Sequence, residues 1–173
     1  MHEPSDERLI QSTLAGDDEA FAALVRRYRS RVFGIAGRFA SNDHELDDVC
    51  QEIFIKAYRN LGRYRGDAPF EHWLSRIAIR SCYDLLRKRR PMVSLEDIEL
   101  PVEDNVEPQR AREILDWAMA RLAPEERMVI TLLELEEKTV REIAGLTGWS
   151  ESKVKVRAFR ARQRLKEVLS HER

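Results

Sequence analysis

The sequence predicts an all-α fold made of two small helical domains, and three observations lead to this expectation. Apolar residues recur at spacings of three and four nearly throughout the 173-residue chain, which is the period of a helix. No stretch alternates with a period of two for long enough to form a strand. The low content of 7 glycines and 6 prolines also disfavours turn-rich all-β folds.

The first domain is predicted over residues 1–90 and contains three long apolar stripes. The first stripe belongs to a helix capped by Asp17, with Gly16 ending a shorter helix before it. The second follows a predicted cap at Asp43, and the third begins after the turn-like residues 65–67. In chain order, the stripes are Phe21, Leu24, Val25, Tyr28, Val32, Ile35 and Phe39; Leu46, Val49, Cys50, Ile53 and Ala57; and Phe70, Trp73, Leu74, Ile77, Ser81 and Leu85.

Residues 91–108 are predicted to be an acidic flexible linker, because the segment is rich in proline and acids and has no helical period. The second domain is predicted over residues 109–173. Its first helix starts near Pro108, and a second helix starts at Pro124, where two acids follow in the first turn. The buried stripes of these two helices are Ile114, Leu115, Ala118 and Leu122, and Met128, Val129, Leu132 and Leu133.

The carboxyl end predicts a helix-turn-helix. Thr139 and Glu142 have the spacing of a capping box, and Gly148 permits a sharp turn. Ser150 then caps a second helix that runs to about Leu169. The expected buried residues are Ile143, Ala144 and Leu146 on the first helix, and Val154, Ala158, Ala161 and Leu165 on the second.

The outward face of this last helix favours DNA binding. Residues 153–166 hold seven cations and no acid, a charge that is costly for a solvated amphipathic helix or a coiled-coil arm. Cations neutralise phosphates, whereas short or apolar side chains lie against base edges in the major groove. Base contacts are assigned to Lys155, Val156, Phe159 and Arg160, and phosphate contacts to Lys153, Arg157, Arg162 and Arg164, with Ser152 on the same face.

A second surface, in the first domain, favours single-stranded nucleic acid, since it interleaves cations with aromatic rings. Alternatively, Tyr64 and Trp73 are core aromatics. The surface comprises Arg59, Asn60, Arg63, Tyr64, Arg65 and Asp67 before the third helix, and the polar stripe His72, Arg76, Arg80, Tyr83 and Arg87 on it.

An acidic helix face, formed by Asp47, Asp48, Gln51 and Glu52, indicates a docking surface for another protein, or else a merely solvated face. The histidines lack helical ligand spacing, so neither a metal nor a cofactor is expected. Two cysteines suit a reducing, cytoplasmic compartment. No signal peptide or membrane insertion is expected, because the amino end is polar and the longest apolar run, 128–133, is short.

Taken together, these residues resemble the extracytoplasmic-function (ECF, group IV) sigma factors of bacterial RNA polymerase. Residues 47–58 resemble the family's second conserved region, residues 64–78 its promoter-melting segment, and residues 139–165 its fourth region. Their order, with a short acidic linker between them, makes the resemblance specific.

The resemblance implies a role for each surface. The acidic face would dock on the clamp helices of the largest subunit of core RNA polymerase, and the second domain would contact the flap of the second-largest subunit. Residues 59–87 would bind and melt the −10 element, and the last helix would read the −35 element as duplex. The linker would lie in the RNA path, and an anti-sigma factor would cover both domains.

The two alternative functions are a freestanding helix-turn-helix regulator and an all-helical enzyme. A freestanding helix-turn-helix regulator would need tight duplex binding without polymerase and an apolar dimer seam, which the sequence does not offer. An all-helical enzyme would need a metal-ligand spacing, a nucleophile with a base, or a phosphate loop. None of these is found, so no catalytic residue is expected.

Overall fold

The structure is a computed structural model that describes residues 4–89 and 108–170, and across these ranges it contains helices and no strand. The all-α prediction is therefore confirmed. The helices are α1 (Asp6–Leu14), α2 (Asp18–Gly37), α3 (Asp43–Asn60), α4 (Phe70–Lys88), α5 (Pro108–Ala120), α6 (Pro124–Ile130), α7 (Val140–Thr147) and α8 (Glu151–Ser170), with a 3₁₀ turn at Leu61–Arg63 and a π-helical turn at Thr131–Leu135.

The chain divides into two compact units, with the boundary between Leu85 and Leu86. The predicted linker, 91–108, lies outside the described residues except for Pro108, which begins α5 as expected. The exact domain bounds of 1–90 and 109–173 stay predictions.

Helix starts in the first unit follow the capping residues. The Asp17 carboxylate accepts hydrogen bonds from the backbone N–H groups of Glu19 and Ala20, at 3.0 and 3.3 Å, so the predicted cap is confirmed. The predicted cap of α3 is wrong by one residue, because Asn42, and not Asp43, accepts from the N–H of Glu45 at 2.9 Å. Both residue types cap helices well, so the sequence alone does not separate them.

The core of the first unit lies between α2, α3 and α4. Leu24, Ile53 and Leu74, one from each helix, are fully buried. The predicted stripe of α4 is only partly right, since Trp73, Ile77 and Leu85 are half-buried. The residues buried instead of these three are Ala78, Ile79, Cys82 and Leu86, so the buried face of α4 is wider than one stripe.

The second unit is formed by α5 to α8, and its core includes Met119, Leu122, Ile130 and Ala161, with Leu165 packed against them. The prediction for α5 is wrong at Leu115, which is 44% exposed; Met119, one helical turn further on, is buried. The other predicted starts, at Pro124, Thr139 and Ser150, are confirmed.

Candidate nucleic-acid and protein interfaces

The acidic residues of α3 do not form one uniform face. Asp47, Asp48 and Gln51 are exposed, and Asp48 lies 3.1 Å from the His44 imidazole. Glu52 is half-buried, and Lys56 binds its carboxylate at 2.8 Å. Three of the four members of the predicted docking surface are thus fully exposed, and the charge of the fourth is paired.

Lys56 explains the orientation of Glu52. Its ammonium also donates to the Ser81 hydroxyl on α4 at 3.1 Å and lies 3.7 Å from the Asp84 carboxylate. Lys56 thus joins α3 to α4, and Glu52 belongs to this cluster. Such a half-exposed cluster orients helices more than it stabilises them, since ion pairs near water contribute about 0–1 kcal/mol each.

An apolar groove between α2 and α3, which the sequence analysis missed, runs beside the acidic residues. It encloses about 600 Å³, and Asp47 and Gln51 lie in its wall. The signal in the sequence was the apolar run 53–55, because Phe54 and Ile55 continue beyond the buried Ile53 and widen the apolar face. The remaining lining residues are Phe21, Val25, Arg29, Phe33, Cys50, Tyr58 and Arg59.

The surroundings of two polar groups in this groove, the Cys50 thiol and the Tyr58 hydroxyl, favour their protonated forms. Burial raises the pKa of the Cys50 thiol to about 11, so the thiol is neutral at physiological pH and packs as a small apolar group. The Tyr58 hydroxyl donates to the Asp18 carboxylate at 3.0 Å, and this hydrogen bond raises the pKa of Tyr58. Neither group is therefore a nucleophile.

Residues 61–69, which we call the α3–α4 loop, connect the groove to the second predicted surface. Tyr64 is half-buried, with its ring 5.7 Å from that of Phe70 and 5.5 Å from that of Trp73. Its hydroxyl donates to the Ala68 carbonyl at 2.7 Å and so closes the loop. The core alternative is therefore partly right for Tyr64, which is both a loop anchor and a surface residue.

The remaining predicted residues of this region lie in different places. Arg65 and Asp67 are exposed in the loop. The Asn60 side chain donates to the Lys56 carbonyl at 2.8 Å and accepts from Arg63 at 3.4 Å, so it finishes α3. Arg59, by contrast, lines the apolar groove.

The polar stripe of α4 is exposed as the sequence predicted, with only Tyr83 half-buried. Among the described residues, neither Arg76 nor Arg80 has an ion-pair partner. Both guanidinium groups therefore keep their full charge for a polyanion. The exposed members are His72, Arg76, Arg80 and Arg87.

The helix-turn-helix of the second unit is built as the sequence predicted. The Glu142 carboxylate accepts from the Thr139 N–H at 2.8 Å, and the Thr139 hydroxyl accepts from the Glu142 N–H at 3.2 Å. Gly148 adopts φ 78°, a left-handed conformation that favours glycine. Val154 and Ala158 face inward, so the opposite side of α8 is presented outward.

Two of the residues predicted to contact phosphates, Lys153 and Arg157 on α8, are half-buried and share one acid of the same unit. Glu125 of α6 binds the Lys153 ammonium at 2.7 Å and the Arg157 guanidinium at 2.5 Å. Lys153 also lies over the Trp149 ring, 4.3 Å from its centre. From the sequence, Glu125 was expected only as a helix-start acid, because no local spacing connects it to Lys153, which lies 28 residues further on.

The face of α8 that stays exposed combines cations with apolar groups. Phe159 is 64% exposed and Val156 is 48% exposed, so a partner that binds this face would meet apolar side chains as well as cations. Arg162 is on the surface and binds Glu134 at 2.6 Å. The exposed residues of the predicted interface are Ser152, Lys155, Val156, Phe159, Arg160, Arg162 and Arg164, the last of which lies 3.4 Å from Glu167.

Comparison with known proteins decides the family. Residues 24–91 match the Sigma-70 region 2 model and residues 112–165 match the Sigma-70 region 4 model. The chain is 33% identical to the ECF RNA polymerase sigma factor SigM of Mycobacterium tuberculosis (strain ATCC 25618 / H37Rv), over 98% of this chain and 87% of SigM. The chain belongs to the ECF sigma factors of RNA polymerase. The resemblance inferred from the sequence is thus confirmed.

Further relatives of this ECF sigma factor agree. It is 34% identical to the ECF RNA polymerase sigma-E factor of Escherichia coli (strain K12), over 92% of this chain and 91% of the relative. The solved structure of CnrH in complex with the cytosolic domain of CnrY matches with a TM-score of 0.63 and 28% identity, covering 97% of this chain and 99% of CnrH.

A second solved structure supports the fold of the ECF sigma factor. The sigma factor RpoE of Bartonella quintana, in complex with the anti-sigma factor NepR, matches with a TM-score of 0.58 and 21% identity, over 88% of this chain and 98% of RpoE. Within the described ranges of our chain, no helix has both the length and the apolar character needed to cross a membrane. These ranges also contain no cluster of three or more side chains suited to a metal ion.

Proposed function

We propose that this ECF sigma factor brings core RNA polymerase to its promoters through two nucleic-acid surfaces, without catalysis of its own and in the cytoplasm. The α3–α4 loop and the stripe of α4 would bind and melt the −10 element. The exposed face of α8 would read the −35 element in duplex form. The observation that supports this division is the chemistry of the two surfaces: aromatic rings with cations on the first, and a capped helix with exposed Phe159 and Val156 on the second.

The first surface suits an opened strand. A base stacked on an aromatic side chain gains about 1–3 kcal/mol, comparable with the cost of unstacking it. Arg76 and Arg80 supply the charge that the strand's phosphates need, one and two turns along α4 from His72. Strand capture of this kind requires no ATP, since the binding energy itself offsets the unpairing.

The protein-binding role falls to α3 and the neighbouring groove. Asp47 and Asp48 would meet basic groups on the polymerase clamp helices, while the apolar groove beside them takes the side chains of a helix. An anti-sigma factor would act by covering this surface and α8, as the resemblance implied. In support, one structural relative was solved in complex with the cytosolic domain of CnrY and another in complex with an anti-sigma factor.

Transcription with core polymerase tests the proposal. Run-off transcription over a genomic library should yield discrete start sites only when the wild-type chain is added. The variant Asp47→Lys with Asp48→Lys should lose co-purification with core polymerase and lose transcription, because it reverses the charge of the exposed acids beside the groove.

The matched control is Glu19→Lys, the same charge reversal on an exposed acid of α2 whose ion pair is with Arg26, at 3.7 Å. This control should retain core binding. Equal binding by the double variant and the wild type would overturn the docking surface. If the chain ignored polymerase and selected a duplex by itself, the freestanding regulator would replace the proposed function.

A further inference from the structure

Helix α1 lies before the region 2 match, which begins at residue 24, yet it is built into the first unit. Leu9, Ile10 and Thr13 are buried, and the helix packs against α2 and against the 3₁₀ turn of the α3–α4 loop. At its carboxyl end, Leu14 lies 3.9 Å from the point where a side chain on Gly62 would begin. One end of α1 therefore touches the loop directly.

The amino end of α1 is fixed by Asp6. Its carboxylate binds the Arg27 guanidinium at 2.5 Å and accepts a hydrogen bond from the Tyr28 hydroxyl. Arg27 also donates to the Pro4 carbonyl at 2.7 Å. Burial, followed by the hydrogen bond to Asp6, raises the pKa of Tyr28, so the hydroxyl keeps the proton that it donates.

A chain of aromatic contacts leads from Asp6 to the loop. The Tyr28 ring lies 5.4 Å from that of Phe70, and the Phe70 ring contacts those of Tyr64 and Trp73 at 5.7 and 5.4 Å. Tyr64 closes the loop through its bond to Ala68. Both ends of α1 therefore act on the same loop, one by direct contact and one through Tyr28 and Phe70.

We propose that α1 is a positioning element that holds the α3–α4 loop in the shape that receives the opened strand, with Asp6 and Tyr28 as its positioning residues. The inference rests on the proposed function only in taking the bound ligand to be the opened −10 strand. The mechanical part of the inference is that α1 orders the loop, and it is supported by the contacts of Asp6, Tyr28 and Leu14. A loop that is already ordered loses less conformational entropy when it binds the strand than a disordered loop would lose.

Hydrogen–deuterium exchange of the full chain tests the mechanical part. Asp6→Asn keeps an acceptor oxygen but removes the charge that pairs with Arg27 and strengthens the hydrogen bond from Tyr28. Tyr28→Phe removes the hydroxyl and keeps the ring on Phe70. Each should speed exchange in residues 61–69 about tenfold, with little change at the centre of α3. The effects of the two changes should not add in the double variant, since both residues take part in the same hydrogen bond.

The matched control is Glu19→Gln, a carboxylate-to-amide change in an exposed pair of α2, which should leave loop exchange at the wild-type rate. Unchanged loop exchange in Asp6→Asn would overturn the proposal. A rise spread evenly over all helices of the first unit would overturn it as well, because this result would show loss of stability without a specific effect on the loop.

Promoter opening tests the functional part. On a promoter found with the wild type, thymine reactivity to permanganate should show that Asp6→Asn opens the duplex about tenfold more slowly, while Glu19→Gln matches the wild type. A template already unpaired at the −10 element should rescue much of the defect. Equal opening rates for Asp6→Asn and wild type would contradict the proposal. Failure of the wild type to open any promoter would instead overturn the proposed function.

Discussion

The two candidate DNA surfaces are held in shape by different forces. In the first unit, the α3–α4 loop is held by a ring cluster of Tyr28, Phe70, Tyr64 and Trp73. In the second unit, α8 is fixed by a capped start and by ion pairs to Glu125 and other acids. The ring contacts hold the shape of a loop, whereas the cap and the ion pairs fix the direction of a helix.

This difference corresponds to what each surface would bind. A single strand presents unstacked bases, so aromatic rings that are already held in place suit it. A duplex offers a groove that admits a helix, which suits the capped α8.

The cations differ between the two surfaces in the same way. Arg76 and Arg80 on α4 have no ion pair among the described residues, whereas Lys153 and Arg157 on α8 share Glu125. Some of the charge that the sequence of α8 displays is therefore balanced by Glu125 of the same unit. Counting cations along a helix overstates the charge that is left for a polyanion.

The largest effect is expected from Phe70→Ala. Phe70 is 3% exposed and contacts three other rings, and truncating such a side chain costs about 3–5 kcal/mol of unfolding free energy. The first unit should unfold at a lower denaturant concentration, and hydrogen exchange in the α3–α4 loop should become faster. The stability of the second unit should not change. Region-resolved hydrogen exchange in denaturant measures both.

The control for Phe70→Ala is Phe33→Ala on α2, at a half-buried position in the groove wall. It should cost less stability and leave the loop ordered. If both variants disturbed the loop equally, the ring cluster would not be what holds it, and the contrast between the two surfaces would fail.

A medium effect, on the salt dependence of DNA affinity, is expected when either of two lysines on α8 is replaced by alanine. Lys155 is exposed and Lys153 is paired with Glu125. Removing one phosphate contact lowers the slope of log affinity against log salt by about 0.9. Lys155 was expected at a base edge, but its charge has no ion pair among the described residues and would lie close to the phosphates of a bound duplex. Lys155→Ala should therefore lower the slope by up to this amount, and Lys153→Ala by much less. Titration of a mixed-sequence duplex at several salt concentrations measures the slopes; equal losses would show that the ion pair opens on DNA.

The sequence predicted most of the fold because its signals are local. Caps such as Asp17 and Ser150, and stripes with period 3.6, are determined by neighbours within one or two turns. How much of a helix its neighbours cover is less local: Leu115 and Met119 lie one turn apart on the same face of α5, yet only Met119 is buried. Which apolar neighbour is buried depends on the helix packed against it.

The candidate sites were predictable to the extent that each lies on one helix. The exposed face of α8 follows from its own spacing, and so does the stripe of α4. The groove between α2 and α3 and the role of Glu125 require knowing which helices touch. The region 2 match likewise begins after α1, so neither the local pattern nor the region 2 model indicates what Asp6 does.

The smallest effect concerns the start of the helix-turn-helix. Hydrogen bonds from the backbone and hydroxyl of Thr139 lower the pKa of Glu142 below the ordinary 4.5. A lowered folded-state pKa means that the capping box contributes its full stability above pH 4.5 and loses it as pH falls through the folded value.

Glu142→Gln keeps an acceptor but cannot titrate. Denaturation of both proteins across this range should show the wild-type advantage shrinking with acid, and a difference independent of pH would mean that the carboxylate charge adds nothing to the cap.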